Sequence, residues 1–179
     1  MSSSSDLIRW GGLAAIAGGV VWVVDSGLLL LDMPPESVMN DVLFIVAALF
    51  TIGGVVGFHA VQKDDYGRIG RGGFWTVVVA TLALVVGLIL SLLGSTALER
   101  FELFPVGTLA VFVGFLLYGA ATLQARVLPR WCGMGFIVGP FMFLIGDFGG
   151  ILFGLLWLAL GYTLWSQEDT SVGQPSRVS

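Results

Sequence analysis

The chain has one cysteine, Cys132, and one histidine, His59, and these two scarcities remove several kinds of chemistry at once. A lone cysteine cannot close an intramolecular disulfide, build a four-thiolate metal site or serve as a dithiol redox pair. A lone histidine leaves no bis-histidine haem within one chain, so neither a metal nor a cofactor is expected. Charge is scarce as well. Only 11% of residues are Asp, Glu, Lys or Arg, and the net charge of −4 is small and scattered. No nucleic-acid or acidic-substrate partner follows from it. Catalytic patterns are missing too: there is no His-Glu-x-x-His and no Gly-x-Ser-x-Gly. The serines of Asp25-Ser26-Gly27 and Gly94-Ser95-Thr96 fall near the face opposite His59, so a Ser–His pair is geometrically implausible and no enzyme is expected.

What the chain does have is apolar length. Hydrophobic residues make up 56% of it, which places it in the membrane class. From Cys132 to Trp165 run 34 residues with one charge, Asp147. A single helix of that size is about 51 Å long, against roughly 30 Å of bilayer hydrocarbon. The stretch must therefore fold back, and the breaker near its middle is Gly146-Asp147-Phe148-Gly149-Gly150. The apolar run from Leu13 to Leu31 is longer than a signal-peptide core and has no small-x-small cleavage site after it, so it reads as a retained first helix.

The expected fold class is all-α, a polytopic transmembrane bundle of six helices over 8–31, 42–61, 72–94, 105–124, 131–146 and 149–166. Residues 1–7 and 167–179 are expected to be polar, disordered tails. Pro34-Pro35 cannot continue a helix, Pro105 suits a first helical turn, and Gly139-Pro140 predicts a kink in the fifth span. Arg9, Lys63, Arg68, Arg71, Arg126, Arg130 and Arg177 fall on one side of this drawing and Arg100 on the other. The positive-inside rule then puts both termini in the cytoplasm of a cell-membrane protein. Trp10, Trp75, Trp131 and Trp165 lie on the same side, where an aromatic belt belongs. The opposite side is acidic, with Asp32, Glu36, Asp41, Glu99 and Glu102. Acids gather where positive charge is excluded; alternatively they form a cation-attracting vestibule.

The odd-numbered spans open alike, at Arg9-Trp10-Gly11-Gly12, Arg71-Gly72-Gly73 and Arg130-Trp131-Cys132-Gly133. The even-numbered spans close alike, at Gly57 to Gln62, Gly119 to Gln124 and Gly161 to Gln167. The pattern predicts three tandem hairpins, all entering from one side, the last of them shortened. Shared interface grammar of Arg, Trp and Gly accounts for part of the likeness. Small residues four apart allow membrane helices to approach closely. Gly11, Ala15 and Gly19, then Gly53 and Gly57, Ala83 and Gly87, Gly135 and Gly139, and Gly150 and Gly154 are the expected packing positions.

Two intramembrane acids are the candidates for chemistry. Asp25 lies about 22 Å up from Trp10 at helical rise, and Asp147 about 24 Å up from Trp131. Asp25 shares a helix face with Gly18 and Ala14, so it should point into the bundle. Two carboxyls at one depth in a poor dielectric do not both ionise easily. They could share a proton or hold a cation. Each also has a structural reading: Asp147 as the cap of the sixth helix, and Asp25 as a protonated residue or one bonded to Ser26, Ser91 or Arg100. His59 is expected at the interface with its polar edge toward headgroups, or else in a proton relay. Tyr118 and Tyr162, at similar depth, are expected to be amphipathic anchors.

Two functions fit these features: a non-catalytic accessory, assembly or structural membrane component, or a small transporter using Asp25 and Asp147. The expected partner is the lipid bilayer, with a homo-oligomer or another membrane protein as further possibilities. A wet cavity joining both acids to the outside would favour transport, and a dry bundle the first reading.

Overall fold

The structure, a computed structural model, describes residues 4–31, 34, 37–94 and 103–171, and all regular structure among them is helical. Six α-helices follow one another: α1 Ser4–Leu30, α2 Val38–Gln62, α3 Arg68–Leu92, α4 Leu103–Ala125, α5 Arg130–Met142 and α6 Asp147–Ser171. A 3-10 turn, Phe143–Ile145, joins the last two. All but α5 are long and apolar enough to cross a membrane. Arg100, Asp32, Glu36, Glu99 and Glu102, with most of the expected C-terminal tail, lie outside the described residues.

The helix ends are set by local chemistry that hydropathy does not register. Helix α2 starts four residues before its expected span because Ser37, in extended conformation, accepts a hydrogen bond from the Asn40 amide at 3.2 Å. Helix α1 reaches back to Ser4, so residues 4–7 are helical rather than tail, and Asp6 in the first turn suits the positive end of the helix dipole. Helix α6 likewise runs on to Ser171, into the expected C-terminal tail. At the fold-back, Gly146 takes φ 72°, a region costly for any residue with a Cβ, and its carbonyl receives the Gly149 amide at 2.9 Å. Helix α5 runs on through Pro140, which cannot donate to the carbonyl one turn below, and tightens into the 3-10 turn immediately afterwards.

The helices form a ring in which α1 meets α2 and α6, α2 meets α3, α3 meets α4, and α5 meets α4 and α6. The seams are glycine seams. A Cβ on Gly57 would lie 2.6 Å from Gly11 Cα, one on Gly19 2.7 Å from the Gly154 carbonyl, and one on Gly73 2.6 Å from the Tyr118 amide. Such approaches let backbones meet where no hydrophobic effect draws helices together. Gly53 meets Ala14, buried Ala15 faces Gly54, Gly135 and Gly139 meet Leu156, and Gly150 closes on Ser26. Gly87 is buried on α3. Ala83, expected at a seam, is instead exposed together with Leu82 and Val86. Spacing alone does not say which face of α3 turns inward, and Val77, Ala80 and Leu84 take that face. The α1–α2 and α3–α4 pairs are closely joined, whereas α6 makes its main seam with α1 rather than with α5.

Aromatic side chains fill the ring. Trp157 of α6 packs against Phe115, Phe136 and Phe153 at centroid distances of 6.0–6.3 Å, and Phe136 meets Phe58 at 5.0 Å and Tyr118 at 5.2 Å. The outward faces are apolar as well: Leu13, Val20 and Val24 on α1, Val79 and Val86 on α3, and Leu109 and Val113 on α4 are all exposed. A helix that is apolar all round suits a bilayer.

Candidate functional site

The intramembrane acids meet different environments. Asp25 is 4% exposed, and its Oδ1 has no hydrogen-bond partner among the described residues. Asp147 is exposed at the first position of α6, with Gly146 before it where a helix cap would sit. Ser26 is buried beside Asp25 against Gly150, one turn along α6 from Asp147. The two acids thus lie at the same end of the α1–α6 seam. Ser91 is exposed on α3 and makes no hydrogen bond to Asp25 among the described residues.

One turn below Asp25 on α1 stands Trp22, which sequence reasoning passed over. Its indole is the hub of an aromatic cluster, edge-on to Phe44 at 5.4 Å, Phe143 at 5.2 Å and Phe153 at 5.5 Å. Its Nε1–H donates to Thr51 Oγ1 at 3.2 Å, so its polar edge is satisfied inside the bundle. Depth was the available signal, because Trp22 lies about 18 Å along the helix from Trp10, too deep for an interface belt. Thr51→Val keeps the shape but strands the indole N–H. It is expected to cost about 0.6–1.7 kcal/mol, measured by reversible unfolding in mixed micelles.

Trp22 walls a chamber of about 240 Å³ to which every helix of the ring contributes. Thr51 comes from α2, Thr81 from α3, Phe115 from α4, Pro140 from α5 and Phe153 from α6. Its walls are almost wholly apolar, and neither Asp25 nor Asp147 lines it. The acids therefore flank the chamber wall at one end of the bundle without opening onto it.

The opposite end carries the exposed basic residues Arg9, Lys63, Arg68, Arg71, Arg126 and Arg130 and the exposed Trp10, Trp75, Trp131 and Trp165. Here His59 is half-buried and held by its neighbours. Its ring stacks on Phe74 at 3.9 Å, and its Nδ1 is hydrogen-bonded to the Tyr66 hydroxyl. Tyr162 is exposed as an anchor should be, but Tyr118 is fully buried, packed against Tyr66 and Phe136, with no partner for its hydroxyl among the described residues. The difference arises because α4 turns Tyr118 onto Gly73, inside the ring. Gln62 is also fully buried. Its Nε2 donates to the Phe58 carbonyl at 3.3 Å, while its Oε1 is unpaired among the described residues. Cys132 is buried and free. Among the described residues no three His, Cys, Asp or Glu side chains gather as a metal site would require.

No protein family, curated protein or solved structure matches the chain.

Proposed function

We propose that the protein is a non-catalytic integral membrane component, an accessory or structural unit that presents an apolar six-helix ring to the bilayer and to neighbouring membrane proteins. The observation that carries this reading is the separation of the acids from the chamber inside the ring. Asp25 is enclosed beside Ser26, the chamber next to it is apolar, and Phe115 of its wall packs onto Phe136 and Trp157, with Phe58 against Phe136. A conducting path needs polar groups or water along its length. The six exposed basic residues at the tryptophan-bearing end support cytoplasmic termini. The matching span openings support a tandem-hairpin origin.

Transport by Asp25 and Asp147 is the second reading, favoured by the unpartnered Asp25 Oδ1. Proteoliposomes under a proton or cation gradient separate the two. The structural reading expects no flux above that of empty liposomes. It also expects Asp25→Leu to raise unfolding stability by about 1–3 kcal/mol, because a buried orphan acceptor is removed. Flux that Asp25→Asn abolishes would establish transport instead.

A further inference from the structure

We propose that the chamber is a receptor for the end of one bilayer hydrocarbon chain. Its place comes first: all six helices wall it, and five of these are long enough to span a membrane. Its chemistry comes next. The polar atoms of the wall are threonine hydroxyls and the Trp22 indole N–H, and that N–H is already spent on Thr51. A buried water needs two to four polar partners, so a space walled in this way favours hydrocarbon over water.

Size and access narrow the occupant. At about 240 Å³ the chamber exceeds the roughly 150 Å³ apolar cavity that holds benzene in a soluble protein. It falls short of the roughly 300–1,000 Å³ typical of drug-sized pockets. One chain end fits, and a whole lipid does not. Phe104 and Phe143, two of its lining residues, are exposed, so the wall is aromatic where it meets the surroundings. An empty apolar space forfeits the dispersion contacts of its lining atoms. The medium around a membrane-embedded ring offers lipid chains at far higher concentration than any dissolved apolar molecule. The exposed carboxyl of Asp147 stands at the same end as Phe143, which disfavours an anionic headgroup there and suits a zwitterionic one.

The test uses the full chain with Trp10→Phe, Trp75→Phe, Trp131→Phe and Trp165→Phe, which leaves Trp22 in the chamber wall and Trp157 behind it. Fluorescence is compared in phosphatidylcholine bilayers with and without bromine near the chain ends, and in unbrominated bilayers with added bromobenzene. A chain held against Trp22 is expected to quench emission by about twofold or more, because the bromines come into contact range of the ring. Filling the chamber through Ala48→Val, Ala48→Leu and Ala48→Phe should relieve that quenching in steps. Thr108→Phe repeats the filling from another helix, and Ala48→Val, which adds two methyl groups, keeps the comparison open if the larger variants do not fold. Quenching by brominated lipid that falls as the chamber fills supports the proposal. Quenching by bromobenzene alone assigns the space to free small molecules and overturns it. So does absent quenching, or quenching that no filling variant changes. None of these outcomes depends on whether the acids transport.

Discussion

Replacing Trp157 by alanine is expected to be the most damaging single truncation in the molecule. Trp157 is 1% exposed and touches Phe115, Phe136 and Phe153, so it joins α4, α5 and α6 at the centre of the ring. In water-soluble cores a Trp-to-Ala change costs about 3–5 kcal/mol, part from transfer out of water and part from the cavity left behind. Lipid is as apolar as the core, so within a bilayer the transfer part shrinks and the packing part remains. The expected loss is about 2–4 kcal/mol, read by reversible unfolding in mixed micelles or bicelles. Trp165→Ala, at an exposed site in the basic-end belt, is the matched control and should cost under about 1 kcal/mol. Equal losses at the two positions would mean that the ring is not packed around Trp157.

The second large effect is expected from Gly154→Leu. A Cβ there would lie 2.6 Å from the Gly19 carbonyl and 2.9 Å from the Val23 amide, both of them backbone atoms that cannot rotate away. Overpacking in a core typically costs about 1–3 kcal/mol, and a clash between two backbones belongs at or above the top of that range. Because α1–α6 is the principal seam of α6, the whole helix must shift to relieve the clash. The expected result is loss of the monodisperse folded protein in detergent, with Gly154→Ala intermediate. Gly27→Ala makes the contrast. A Cβ there meets nothing within 4 Å, so the change should be neutral or stabilise helix α1 by up to about 1 kcal/mol. A Gly154→Leu variant that unfolds like the parent would remove the close α1–α6 approach from the fold.

These two cases show what the sequence makes legible and what it does not. Apolar length and the breaker at Gly146 are enough to place the fold-back, because bilayer thickness is an outside ruler. Gly11, Gly57, Gly150 and Gly154 were found from spacing because each truly lies at a helix crossing. Ala83 has the same spacing and faces outward. In lipid both faces of a helix are apolar, so polarity does not mark the inner one. Asp25 shares a face with Gly18 and is buried inside the bundle, since the lipid side offers a carboxyl no polar partner. The chamber was not legible. Its walls draw on Trp22, Thr81, Phe115, Pro140 and Phe153, far apart in the chain, and they face one space only because the ring closes α6 onto α1.

The shortness of α5 has a consequence outside the protein. With its 3-10 extension, the segment Arg130–Ile145 spans about 26 Å at most, whereas the other five helices are each long enough for a full hydrocarbon core of roughly 30 Å. Lipids bordering α5 would meet a shorter apolar face than those around α3 and α4, and local thinning on that flank is the expected accommodation. Such thinning would bring the water boundary toward the exposed Asp147 at the end of that segment. Hydrophobic mismatch of this one-sided kind favours thin membranes.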